Sequence, residues 1–391
     1  MTALCPICDG GNAEHVLSLK KQPVLIGVMW PDEETAKSCD RGDIDLTFCP
    51  DCGFLWNPAF DPERIAYDQE YDNSLHFSAV FHAYSQELVS RLVETYELRE
   101  RRVIDVGCGK GDFLAMLCEA GNNTGYGFDP SYTGEHVDMP DTGQITWSND
   151  YYPEKHADVQ ADLIASRFVY EHIPAPHHFL QMIRRSIADP ARTIVFFEVP
   201  DADLIIRQHS VWDLIYEHCS YFSKESLTRS FATCGFDVLR VQQTFGKQFL
   251  TIEARVAPDG VGDPGPDSGD LTKLRADLAS FREAQSKQIG NWRAQLDSWE
   301  AESLSVVAWG AGAKTIGFLN VLGDSHIVSR VVDINLNKQG KHLPGTGQMI
   351  VPPDDLIDDP PEIVLLLNPI YLNEVTADLA ERGLSPEIVT A

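Results

Sequence analysis

Residues 103–111 read Val103-Ile-Asp105-Val-Gly107-Cys-Gly109-Lys-Gly111, and an amphipathic run, DFLAMLCEA, follows over 112–120. The apolar start predicts a strand, the glycines a turn and the periodic run a helix. Together they make the opening unit of a doubly wound nucleotide-binding domain, whose glycines let the backbone approach a ligand closely. The order Asp105-x-Gly107-x-Gly109-x-Gly111 differs from the dinucleotide fingerprint G-x-G-x-x-G. Twenty-four residues beyond Asp105, Tyr126-Gly-Phe-Asp129 reads as the next strand ending in a carboxylate. That is the position of a ribose-binding acid. A tight turn without a ligand would not account for this second acid.

The loop resembles motif I of the class I S-adenosylmethionine (SAM) methyltransferases. The resemblance implies SAM as cofactor, contacted by Asp105, Gly107, Gly109, Gly111 and Asp129.

At 391 residues the chain is long enough for two or three domains of roughly 150 residues each, and 43% hydrophobic residues support ordinary cores. No apolar run approaches the ~18 residues that cross a bilayer. The opening MTALCPIC has neither a basic nor an apolar leader region, which predicts a cytoplasmic protein. The net charge of −28 would repel nucleic acid and anionic membranes, so the expected partner is a small molecule. An anionic substrate would need a local basic pocket. Nine cysteines in such a protein favour metal binding or free thiols over disulfides.

Cys5-Pro-Ile-Cys8 and Cys49-Pro-Asp-Cys52 are two C-x-x-C pairs separated by 40 residues. Each pair can place two thiolates on one ion, and four close a tetrahedral shell. The expectation is a structural Zn2+ site in a ribbon with a long insert, with Cys39 outside it.

Residues 62–100 have a mostly helical pattern and hold a cluster of Tyr67, Tyr71, His76, His82 and Tyr84. Most of these read as a packed lid. Residues 162–174 read as a strand and its following loop, which places His172 at a strand end near the cofactor. Residues 193–200 read as the next strand, and 235–256 as a hairpin with Gly246 in its turn. The Pro/Gly/Asp-rich stretch 257–270 reads as linker. A long amphipathic helix is expected over 271–300, with Leu271, Leu274, Leu278, Phe281, Ile289, Trp292, Leu296 and Trp299 as core. A second strand–loop–helix starts at Val306, with Gly310 and Gly312 in the loop and Lys314 beside them. Asp333 closes the next apolar run 21 residues after Gly312. Thr315 stands where a dinucleotide fingerprint has its last glycine, which argues against NAD. The helix start can still bind a phosphate, with Lys314 adding charge.

The predicted fold is therefore α/β with four segments. These are a zinc ribbon over 1–60, a methyltransferase core with a helical lid over 61–256, a linker and long helix over 257–300, and a Rossmann-like substrate domain over 301–391.

This combination resembles the SAM-dependent sugar C-methyltransferases of deoxysugar biosynthesis, whose type members methylate C3 of a dTDP-4-keto-hexose. The most specific residues are Glu217-His218-Cys-Ser-Tyr221-Phe-Ser223 together with Trp309-Gly-Ala-Gly-Ala-Lys314. The resemblance implies a nucleotide-linked keto sugar as substrate, His218 as base and Glu217 as its partner. It puts His172 and Tyr71 at the sugar or its enolate oxygen, and Tyr216, Tyr221, Gly310, Gly312 and Lys314 with the substrate. The chain departs from the family at two places. Ile215-Tyr216-Glu217-His218 stands where members read Tyr-His-Glu-His, so a tyrosine is absent or shifted by one residue. Phe245-Gly-Lys-Gln-Phe-Leu250 stands where many carry Gly-Gly-Ser. The alternative acceptor is a non-sugar small molecule methylated at oxygen, nitrogen or carbon. Thr315 argues against an oxidoreductase using the second glycine loop, and a non-catalytic scaffold would leave the set Asp105, Gly107, Gly109 and Asp129 unexplained. Sequence does not set the oligomeric state.

Overall fold

A computed structural model describes residues 4–65, 75–132, 144–153, 156, 159–265, 270–323 and 326–391. Tyr67 and Tyr71 lie outside the described residues. Three sheets carry the fold. The N-terminal sheet runs β1 (Glu14–Pro23), β2 (Arg41–Phe48) and β3 (Leu55–Trp56), all antiparallel. One cysteine pair precedes β1 and the other lies between β2 and β3.

The central sheet contains β4 (Arg102–Val106), β5 (Thr124–Phe128), β6 (Ile145–Ser148), β7 (Leu163–Arg167) and β8 (Ile194–Pro200). The short β9 (Ser220–Tyr221) leaves this core and pairs with β3, so it extends the N-terminal sheet. The predicted hairpin is present as β10 (Phe236–Thr244) and β11 (Phe249–Val256), with Gly246 at φ +62° in the turn. The strand order is β6-β5-β4-β7-β8-β11-β10. β11 is antiparallel to both neighbours and the ladders among β4–β8 are parallel. Parallel strands covered on both faces read as nearly continuous apolar runs. Here alternate residues serve opposite layers. Val103, Leu163 and Phe196 pack with Leu92 and Leu117 of helices Ala79–Thr95 and Asp112–Gly121. Ile104, Ile164 and Phe197 pack with Leu180 and Phe231 of helices Pro176–Ser186 and Lys224–Thr233. The chain order reverses between β4 and β7, and open α/β sheets bind ligands at such a switch point.

The third sheet is wholly parallel, in the order β14-β13-β12-β15-β16. Its strands are β12 (Val306–Trp309), β13 (Val328–Val332), β14 (Met349–Val351), β15 (Ile363–Leu366) and β16 (Glu387–Thr390). Before it runs helix Leu271–Ala301, which buries Leu274, Leu278, Phe281, Leu296 and Trp299, while Leu271, Ile289 and Trp292 pack half-buried against the same core. That core also takes Ile44 and Leu46 from the N-terminal sheet, Trp212 and Tyr216, and Phe318 and Leu319 of helix Ala313–Leu322. The expected ribbon, core and C-terminal units are thus joined by one apolar cluster. Gly317 sits so close to the 212 turn that a Cβ there would fall 2.0 Å from the Trp212 carbonyl oxygen. Any larger residue would separate the C-terminal unit from the core.

Candidate active site

A cavity of about 720 Å³ runs from the first glycine loop to the second. Its walls include Asp105, Gly107, Gly109 and Asp129 at one end, His172 and His218 in the middle, and Gly310, Gly312, Lys314 and Asn335 at the other. It is built from the C-terminal ends of β4, β5, β7, β12, β13 and β15.

The first loop is shaped by what faces it. Gly107 adopts φ +72° and Gly111 φ +94°. A Cβ on Gly107 would fall 2.2 Å from Val169 Cγ2, and one on Gly111 2.0 Å from the Trp147 ring. Both positions thus demand glycine twice over, by backbone conformation and by space. Nothing lies within 4 Å of the corresponding point on Gly109, which leaves open space beside the loop. Asp129 accepts from the Gly109 N–H at 2.8 Å and from the Ser131 N–H and hydroxyl at 2.8 and 2.6 Å. Asp105 is fully buried, and burial pushes its carboxyl up to about 7, opposed by Arg167 and reinforced by Asp129. Among the described residues its Oδ1 has no hydrogen-bond partner. A cation-bearing ligand suits such a group. Asp150 and Tyr151 at the end of β6 line the same wall, a pair the sequence reading missed; the only available signal was their place after a strand.

Between β7 and β8, Arg167 bonds Glu198 at 2.5 Å and lies 4.3 Å from the Phe113 ring centroid. Glu198 also accepts from the Tyr84 hydroxyl. The next residue, Phe168, holds φ +57°, rare for a bulky side chain, and its ring meets Phe249 at 4.7 Å. This turn delivers His172 to the cavity. The His172 and His218 rings stand edge to face with centroids 4.8 Å apart. Burial lowers His172 to about 4, and burial with His172 as neighbour holds His218 well below 6.5. Glu217 is buried, accepts from the Ile26 and Gly27 N–H groups of the N-terminal unit, and has Oε2 4.0 Å from His172 Nδ1. It therefore ties the segment that carries His218 to the segment after β1.

The structure corrects two expected substrate contacts. Tyr216 is buried away from the cavity: its hydroxyl accepts from the Asp61 N–H at 2.9 Å and its ring lies against Gly42 and Phe60. Tyr221 is likewise buried, donating to the Ile215 carbonyl at 2.9 Å. Ile215 faces the cavity. The chain turns here, with the His218 N–H bonded to the Ile215 carbonyl, and the one-residue offset sends the tyrosine into the core and leaves an isoleucine at the site. Lys314 also differs from expectation: it lines the cavity, but its ammonium is ion-paired with Asp213 at 2.6 Å. The pair bridges the C-terminal unit and the core. Lys338 was missed by the sequence reading. It is buried to 8% exposure, lines the cavity and donates to the Ala311 carbonyl at 2.9 Å.

A methyltransferase domain pattern matches residues 77–241, and a C-methyltransferase C-terminal domain pattern matches residues 271–384. The C-methyltransferase NovU of Streptomyces niveus is 25% identical over 391 residues, covering 95% of this chain and 90% of NovU. The chain is a SAM-dependent methyltransferase with a methyltransferase domain and a C-methyltransferase C-terminal domain. Similar solved structures cover about half of it. The magnesium protoporphyrin IX methyltransferase of Synechocystis with bound SAH matches 46% of this chain and 84% of its own, at 17% identity and a TM-score of 0.34. The 1,6-didemethyltoxoflavin-N1-methyltransferase of Burkholderia thailandensis matches 52% and 96%, at 16% identity and a TM-score of 0.35.

The C-methyltransferase also has a four-cysteine cluster. Cys5, Cys8, Cys49 and Cys52 bring their sulfurs within 4.8 Å of one another. The closest approaches, Cys5 to Cys52 and Cys8 to Cys49, are both 3.5 Å and run between the two knuckles. A tetrahedral ion with metal–sulfur bonds of about 2.3 Å sets sulfurs about 3.8 Å apart. Backbone N–H groups of Ile7 and Cys8 point at the Cys5 sulfur, and those of Asp51 and Cys52 at that of Cys49. The cluster fits a metal. Cys39 is buried apart from it. Among the described residues no helix is long and apolar enough to cross a membrane.

Proposed function

We propose that the protein methylates the carbon beside a ketone in a sugar carried on a nucleoside diphosphate. The observation that carries this reading is the single cavity joining the cofactor loop, the histidine pair and the second glycine loop. A small acceptor methylated near Gly109 would have no need of the second loop. Asp105, Gly107, Gly109, Gly111 and Asp129 would hold SAM, which supplies an electrophilic methyl group on a sulfonium. A sugar carbon is not nucleophilic until a base removes the proton acidified by the ketone. His218 would take that proton, and His172 would face the oxygen on which charge develops. Tyr71 is proposed with them on the resemblance alone.

At the far end, Gly310, Gly312 and the start of helix Ala313–Leu322 would cradle the diphosphate. Lys338 is the better placed cation, since Asp213 already neutralises Lys314. Among the described residues the Asn335 side-chain N–H has no partner, and Asn335 borders the cavity, ready to donate to an oxygen. Zn2+ would sit on the four cysteines with a structural role, because four protein ligands leave no open position. The protein would act in the cytoplasm.

A specific observation favours a second reading. Ile215 replaces a tyrosine at the site, and Phe81, Phe168, Phe245 and Phe249 line it, which suits an acceptor with an apolar face. The experiment that separates the two is a thermal-shift screen against nucleoside diphosphates and their sugars with S-adenosylhomocysteine present. A ligand of the native state raises its stability. A shift with one nucleotide supports the sugar-nucleotide reading. A shift with S-adenosylhomocysteine and none with any nucleotide overturns it. Zinc is expected at about one per chain by metal analysis; a folded, active, metal-free preparation would remove that claim.

A further inference from the structure

Glu171 has no part in the chemistry above, yet it stands beside both histidines. It lies in the helical turn Tyr170–His172, is 2% exposed and borders the cavity. Among the described residues no other residue bonds its carboxylate oxygens, and only its own backbone N–H points at them. A buried carboxyl without partners is costly, so packing alone gives no reason for a glutamate here. One carboxylate oxygen, one His172 ring nitrogen and one His218 ring nitrogen lie within 4.8 Å of one another.

We propose that Glu171 shares a proton with His172 and His218, making the general base a carboxyl–imidazole unit instead of His218 alone. The proposal rests on the enolate reading of the site and deepens it. A lone His218 would be a weak base, since burial and its histidine neighbour disfavour the imidazolium. An efficient base for a carbon acid titrates near the working pH. A carboxylate within reach favours the imidazolium and restores basicity. The groups facing Glu171 keep the unit near that range. Burial pushes its carboxyl up to about 8, and Glu198 from β8 adds to this. Glu198 is itself tied to Arg167. Cys219, whose thiol reaches the Glu171 carbonyl at 3.6 Å, is pushed up to about 12 and stays neutral. Glu217 also approaches His172, with Oε2 4.0 Å from Nδ1, and is anchored on Ile26 and Gly27.

The unit is active with Glu171 ionised and both imidazoles neutral. The substrate C–H bond breaks, its electron pair moves into the enolate, and the proton bonds to a His218 ring nitrogen. The Glu171 carboxylate then balances the imidazolium. The proton leaves to water after turnover. Because the pair titrates together, its apparent pKa belongs to the unit. Glu171 is a positioning residue in this scheme.

The test is ¹⁵N NMR of the histidine rings in the full chain with S-adenosylhomocysteine bound, as a function of pH, in wild type and Glu171→Gln. No acceptor is needed, so an incorrect substrate assignment leaves the result readable. The expected result is a step in the His172 or His218 resonances with a midpoint near pH 8 that Glu171→Gln lacks. Superimposable curves in the two proteins would overturn the proposal. Should Glu171→Gln not fold, the Glu171 carboxyl is followed by ¹³C NMR in His218→Asn. Its midpoint should rise by about one pH unit or more, since an imidazole that can take the proton is gone. An unchanged midpoint would overturn the proposal equally.

Discussion

The two glycine loops of this protein are held by the same clasp but face opposite charges. In the core, Asp129 accepts from the Gly109 N–H at 2.8 Å and from the Ser131 N–H at 2.8 Å. In the C-terminal unit, Asp333 accepts from the Ala311 N–H at 2.6 Å and from the Asn335 N–H at 2.7 Å. Each acid follows the second strand of its unit, and each uses one oxygen on the loop and one on the residue two positions on. An acid at this place is therefore first a fastener, which is why Asp333 resembles a ribose-binding residue in sequence. The difference lies in the neighbours. The first strand of the core carries the buried Asp105, while the equivalent position two residues before Gly310 is Ala308. Beside the second loop stands buried Lys338. The first loop thus suits a ligand with positive charge and the second one with negative charge.

The comparison can be tested from the chemistry outwards. His218→Ala lies between the loops and should lower turnover by roughly 10²–10⁴-fold, the usual worth of a general base, while a thermal shift with S-adenosylhomocysteine is retained. Near-normal turnover would remove His218 as the base. Next, Asp129→Ala should weaken S-adenosylhomocysteine by about 1.5–3 kcal/mol, the range for a charged hydrogen bond, and leave nucleoside diphosphate binding intact. Asp333→Ala should do the reverse, measured by calorimetry. If both variants lose the same ligand, the loops do not divide the work. Lys338→Ala should weaken a nucleoside diphosphate more than Lys314→Ala does, because the Lys314 charge is spent on Asp213. Breaking that partly exposed pair should cost no more than about 1 kcal/mol of stability.

A pH experiment sharpens the centre of the comparison. Glu171 has a folded value of about 8, above its unfolded value, so the native state binds the extra proton. That stabilisation is present at low pH and is lost as pH rises through the folded value. Relative to Glu171→Gln, the wild type without ligands should lose melting temperature between about pH 5 and 8. A constant difference across that range would show that Glu171 is not buried and protonated as described.

Much of the site was legible because it depends on local order. Gly107 and Gly111 announce positive φ, and the strand ends that carry Asp105, Asp129 and His172 follow from the parallel pattern. The cysteine spacing likewise led to the four-sulfur cluster. Tyr216 was misread because a segment between a helical turn and a two-residue strand has no period from which to tell inward from outward. Lys338, Asn335 and Glu171 carry no local motif; only their neighbours across the fold make them notable.

By itself, the sequence determined the first strand, glycine loop and helix with the acid after the next strand, the hairpin and the long helix, since backbone conformation, hydrophobic period and turn chemistry are properties of neighbouring residues. Tertiary structure alone decided that both loops open into one cavity, that Lys314 is spent on Asp213, and that Glu171 meets two histidines. Those facts depend on burial and on distances between residues up to about two hundred positions apart, where a charge gains or loses its partner only once the chain has closed around it.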